Sequence, residues 1–202
     1  MLPTSVQLDV TRPDSYERPQ LAIRLLLMVV LAVMGAPLGW FVGVLYLALP
    51  LVAAVGISDR GGARYLEELG PPLERGLRWL LALFAYVGLL TDRLPTANPS
   101  RQVTFVVERG GTPTVSSSLM RLLTALPTLV LLVVVGILGA VLWLLAFFFV
   151  LTTGSYPSSL FDFLRGVLRL VARLFAYQAS LVEGPAPLEF TVTPGPPVAL
   201  PR

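Results

Sequence analysis

Asp162, Arg165, Arg169 and Arg173 follow one another at intervals of three and four residues, the spacing that returns a helix to the same face. A row of guanidiniums on one face can grip the oxygens of a phosphate or a carboxylate in bidentate fashion. The chemistry expected of Arg165, Arg169 and Arg173, with Arg78 in a comparable place nearer the N-terminus, is contact with lipid headgroups or with a partner protein. A solvated face at headgroup level is the plainer reading of the same stripe. Asp162 is expected to cap its helix or to pair with Arg165 or Arg169 rather than to catalyse.

Little other chemistry is available. The sequence holds no His and no Cys, which removes the commonest general base, metal ligand and haem ligand, and every thiolate. The cluster Asp59, Arg60, Arg64, Glu67, Glu68, Glu74, Arg75 mixes signs and lacks the spacing of a cation-binding loop. No phosphate-binding glycine loop or nucleophile elbow is present. The expectation is therefore no catalytic residue, no cofactor and no metal, in a protein that is not an enzyme.

The elements that carry these residues are apolar. Of 202 residues 55% are hydrophobic and 13% charged, and the mean hydropathy of +0.77 points to a membrane protein. All 15 basic residues are Arg, and they flank apolar runs rather than forming one basic block. Attraction to anionic lipid fits that distribution better than nucleic acid does. No cleavable signal peptide is visible in the first 20 residues, so the first apolar segment is expected to serve as the insertion signal.

Two apolar runs, 21–57 and 119–151, are each expected to form a helical hairpin, since one crossing needs about 20 residues. The turns are expected near Gly35–Gly39 and Gly136–Gly139; a single strongly tilted helix is the alternative for the second run. Gly35, Gly39 and Gly43 form a small-residue ladder suited to close helix packing. Neither run contains a charged residue between Leu25 and Ile57 or between Leu122 and Leu151, which argues against a pump or an ion-coupled transporter.

The halves of the chain resemble each other. Tyr65 and Tyr86 recur as Tyr156 and Tyr177 at one spacing (156 − 65 = 177 − 86 = 91), and Arg78, Phe84 and Ala85 recur with them. The expected organisation is two repeats, 1–98 and 99–202. Each begins with a short alternating strand, Val6–Val10 and then Val103–Glu108. Each continues through its apolar run to a helix, 74–91 and then 162–183. The second helix places Asp162, Arg165, Arg169 and Arg173 opposite Val167, Leu168, Leu170, Val171, Leu174 and Phe175, the pattern of an amphipathic helix lying in the membrane interface. A third strand is expected over 188–193. The expected fold is thus an all-α membrane protein with a minor β cap. Four spans with cytoplasmic termini keep every Arg on one side or at its boundary, and six spans are the alternative.

Thr153, Gly154, Tyr156, Pro157, Leu160, Phe161, Asp162 and Phe163, followed by an Arg-bearing helix ending near Ala176-Tyr177, resemble the bacterial multi-pass membrane proteins of the domain of unknown function 4389 family. Ser155, Ser158 and Ser159 stand where that family's block has Arg, Arg and Gly. Gly70-Pro71-Pro72, Leu77 to Ala82, Ala85-Tyr86 and Leu89 to Pro95 resemble a second form of it, giving two tandem copies. The resemblance implies a bacterial membrane protein and supplies no activity. The expected role is a non-enzymatic integral protein of the cytoplasmic (inner) membrane, an accessory or scaffold subunit contacting lipids and membrane protein partners. Lipid binding or lipid handling is the alternative, motivated by the Arg stripe.

Overall fold

The structure is a computed structural model that describes residues 6–11, 13, 38–92, 95, 103–184 and 187–192. It is mostly helical, with one small sheet. Strand β1 is Val6–Val10 and helix α1 is Leu38–Arg60. One helical turn, Gly62–Arg64, and a π-helical turn, Tyr65–Leu69, lead into α2, Gly70–Val87. Strand β2 is Val103–Val107, followed by α3 (Val115–Thr124), α4 (Leu126–Thr153) and α5 (Ser158–Gln178).

Local chemistry explains most of the boundaries. Thr114 and Ser117 cap α3 reciprocally: the Thr114 Oγ1 accepts from the Ser117 amide at 3.1 Å and the Thr114 amide donates to Ser117 Oγ at 2.9 Å. That satisfies two donors at a helix start. Ala125 separates α3 from α4, and Pro127 in the first turn of α4 needs no partner for an amide it lacks. At its far end α4 stops on Gly154 at φ 71°, a left-handed cap that glycine takes without a Cβ clash.

Between those ends α4 is one continuous helix of 28 residues. The turn expected at Gly136–Gly139 is absent, and the second apolar run is not a hairpin. No polar side chain stands there to take up the backbone groups that a turn would release, so the helix keeps its own hydrogen bonds. Gly139 instead admits α5: a Cβ there would lie 3.4 Å from Leu164 Cδ2 and 3.7 Å from Val167 Cγ2. In the first run, residues 21–37 lie outside the described residues, and 38–60 is a single helix. Both α1 and α4 are long and apolar enough to cross a membrane.

The two strands pair antiparallel about the central pair Leu8↔Phe105. Val6, Leu8, Val10, Val103, Phe105 and Val107 turn inward, as period-two alternation requires. β1 packs on α5 and β2 on α2, so each strand meets the helix from the other half of the chain. The expected strand at 188–193 does not form over the described residues 187–192. That segment crosses α5 instead: a Cβ at Gly166 would come 2.9 Å from the Thr191 carbonyl.

The ends of α2 and α5 repeat each other hydrogen bond for hydrogen bond. Leu90 N donates to Ala85 O at 2.8 Å and Leu181 N to Ala176 O at 3.1 Å. Leu89 and Ser180 hold φ of 63° and 54°, a left-handed conformation costly for a residue with a Cβ. Both pairs differ by the 91 residues that relate the tyrosines.

Candidate functional site

The arginine stripe of α5 does not face outward. Arg165 and Arg169 keep only 8% and 5% of their surface, and β1 covers them. Arg169 donates from Nε to the Leu8 carbonyl at 2.9 Å and from Nη2 to Asp9 Oδ1 at 3.1 Å. Arg165 reaches Asp9 at 3.4 Å and Asp162 Oδ1 at 2.8 Å. The expected Asp162–Arg165 pair is present, with Asp9 as a third member that sequence reasoning had not placed in the site. Arg173, half-exposed, donates to the Glu189 carbonyl at 3.1 Å.

Arg78 does for β2 what Arg169 does for β1. Its Nη2 donates to the Phe105 carbonyl at 2.9 Å and to Glu74 Oε1 at 2.8 Å. Arg109 Nη1 meets the other Glu74 oxygen at 2.9 Å. A two-stranded sheet has two open edges, and an Arg from the opposite half donates to the central residue of each strand. Burial lowers the Arg169 pKa, and Arg165 beside it adds to the shift, while Asp9 opposes it. A guanidinium stays charged through such a shift.

Arg121 is a further buried cation, and sequence reasoning had not placed it in the site. Nη1 donates to the Tyr177 carbonyl at 2.5 Å and Nη2 to the Val182 carbonyl at 3.0 Å. It therefore closes the C-terminus of α5, where carbonyls lack intrahelical donors and the helix dipole favours a cation. Its carbon Cζ stands 4.4 Å over the Tyr177 ring. Burial lowers its pKa, opposed by Tyr177, Tyr65 and Glu183. The signal for it was its position as the last charge before an apolar run. Beside it an open cleft of about 290 Å³ is lined by Gly110, Gly111, Met120, Arg121, Tyr177 and Glu183 among others. The two Arg121 nitrogens named above already meet carbonyls.

Tyr65, in the π-helical turn, is fully buried and donates to the Ala179 carbonyl at 2.5 Å. Desolvation pushes its pKa up to about 12, against a smaller pull from Arg121.

The motif residues build the α4–α5 turn. Thr153 Oγ1 donates to the Phe149 carbonyl at 2.7 Å and accepts from the Ser155 amide at 3.2 Å, Gly154 turns the chain, and Pro157 precedes α5. Tyr156 and Phe161 are buried edge to face at 5.7 Å, and Leu160 and Phe163 pack half-buried against the core. Of the small-residue ladder, Gly35 lies outside the described residues. Gly39 and Gly43 lie on α1 where an added Cβ meets nothing within 4 Å among the described residues. No group of three or more acidic residues converges among the described residues to hold a metal.

Residues 116–188 match the family model described as Domain of unknown function (DUF4389). The match takes in Arg121, α4, the turn motif and the whole arginine stripe, but stops short of the first half of the chain. Neither a curated protein nor a solved structure matches the chain.

Proposed function

We propose that the protein is a non-enzymatic integral protein of a bacterial cytoplasmic membrane, acting as an accessory or scaffold subunit of a larger membrane complex. One observation carries this reading: the outer faces of α1 and α4 are apolar and exposed. Trp40, Val44, Leu47, Leu51 and Val55 mark one face, and Val130, Val134, Ile137, Val141, Leu145 and Phe148 the other. Water-soluble monomers rarely expose contiguous apolar surface on that scale, whereas hydrocarbon covers it without cost.

The arginines beside the sheet support a structural role. Arg78, Arg165 and Arg169 spend hydrogen bonds on strand carbonyls and carboxylates of the same chain, as cations that fasten elements together do. The lipid-handling alternative took its motive from that stripe, and no other observation favours it. The two halves are read as one duplicated unit, supported by the shared spacing of Arg78 and Arg169, of Leu89 and Ser180, and of the hydrogen bonds around them.

Extraction of membranes at alkaline pH tests the first part: the protein should stay with the lipid, and release with peripheral proteins would overturn it. Native mass spectrometry of the tagged protein in mild detergent tests the second. A stoichiometric protein partner is expected, and a functional monomer retaining nothing would refute the subunit reading.

A further inference from the structure

We propose that α4 lies in the plane of one membrane leaflet, its outer face among the acyl chains, and does not cross the bilayer. This rests on the membrane reading above and adds how the molecule sits.

Gly139 is at the midpoint of α4, Leu126–Thr153, and it faces Phe163, Leu164 and Val167 of α5. At the N-terminal end of α4, Thr124 Oγ1 lies 2.8 Å from the Tyr177 hydroxyl. These two anchors run α5 antiparallel along α4. On the side of α5 away from α4, Arg165 and Arg169 reach Asp9 and the Leu8 carbonyl. Arg165 lies within the stretch that Gly139 faces, and Arg169 is two residues beyond Val167, roughly 3 Å along a helix. The sheet's central pair therefore stands beside the middle of α4 rather than beyond either end.

If α4 crossed the bilayer, the sheet would sit at the hydrocarbon midplane. Asp9, whose side chain is 40% exposed, and Asp162, at 34%, would then turn carboxylates toward lipid, where ionised groups are strongly disfavoured. With α4 in the plane the layers fall into order. Packed helices stand about 8–10 Å apart, so α4 occupies the acyl region, α5 the headgroup level, and the sheet the water.

The chain has no Cys, so single cysteines report depth without background. Val130, Val134, Ile137, Val141, Leu145 and Phe148 form one exposed stripe along α4. Each would be replaced by Cys, labelled with an environment-sensitive fluorophore, and the full-length protein reconstituted into phosphatidylethanolamine/phosphatidylglycerol vesicles. Lipids brominated at known depths then quench the label. In-plane placement predicts one depth for all six sites, and a Gln7→Cys label open to an aqueous quencher. A crossing helix predicts shallow ends at 130 and 148, roughly 27 Å apart, with the deepest sites between them, and that profile would overturn the proposal. Labels at all six sites that remain fully aqueous would instead defeat the membrane reading itself. A lipid-shielded label at Gln7 alongside uniform α4 depths would also count against the in-plane arrangement.

Discussion

Arg169 and Arg78 hold the two carbonyls of one cross-strand pair: Arg169 donates to Leu8 and Arg78 to Phe105, which face each other in the sheet. Each arginine comes from the half of the chain that does not supply its strand. The sheet is thus one point at which the two halves are fastened together, and that fastening includes charged side chains on main-chain oxygens.

Substitution at the two arginines should therefore differ sharply from substitution at the third. Arg169→Gln loses bonds to Leu8 and Asp9 and leaves Asp9 underpaired, at a cost of roughly 2–3 kcal/mol. Arg78→Gln, in a less buried place, should cost about 1–2 kcal/mol. Arg173→Gln should change stability by under about 0.5 kcal/mol. Denaturant unfolding in detergent checks the order, and an Arg173 variant as weak as the Arg169 one would contradict the assignment.

Gly139 and Gly136 should respond in opposite ways. Gly139→Leu drives a side chain into Leu164 and Val167, and overpacking of this kind costs about 1–3 kcal/mol. Gly136 meets nothing within 4 Å among the described residues, so Gly136→Ala should be neutral or stabilise by up to about 1 kcal/mol through helix propensity. Thermal unfolding of the two variants side by side reads the difference.

Tyr65 makes the fold sensitive to alkali. Its pKa is raised from 10.0 to about 12, so the folded state holds the phenol proton more tightly than the unfolded chain does. The stabilisation is fully present below pH 10 and is lost as pH rises from there to about 12, an amount of roughly 2–3 kcal/mol. Tyr65→Phe should lose about 1 kcal/mol at neutral pH with the bond to Ala179, and its stability should fall less steeply across that alkaline window. Equal slopes for the two proteins would remove Tyr65 as the cause.

The turn after α4 depends on a residue without a side chain. Gly154 holds φ 71°, and Gly154→Val should cost about 1–2 kcal/mol because a branched Cβ meets the following carbonyl there. Gly110→Ala, where nothing among the described residues lies within 4 Å and φ is not positive, is the control and should stay within about 0.5 kcal/mol.

Local pattern was the legible part of this fold. Alternation located Val6–Val10 and Val103–Val107 to within a residue, and the three-and-four spacing correctly put Arg165, Arg169 and Arg173 on one face of a helix. The expected helices, 74–91 and 162–183, began about four residues late, because Gly70-Pro71-Pro72 and Ser158-Ser159 are turn-forming residue types yet take up the first turn. What the polar face of α5 meets was illegible. A guanidinium satisfied by water, by phosphate or by the main chain of a strand some 160 residues away looks the same in sequence, since the choice is made by tertiary contact. Leu89 and Ser180 were hidden for a related reason: left-handed caps are sought at glycine, and here packing holds them at ordinary residues. The missing turn in α4 shows the opposite error, in which glycines suggested a bend that an unbroken apolar helix has no reason to make.

The exchange of strands between halves also sets a timetable for biosynthesis. β1 is made well before the arginine that caps it, which is 161 residues downstream. At typical rates of synthesis it waits roughly 8–30 s for that partner, through the whole interval in which the apolar helices emerge. Contacts so distant in sequence also make closure of the sheet a late and slow event. The newborn chain must therefore keep an unpaired edge out of reach of its neighbours until α5 has been delivered.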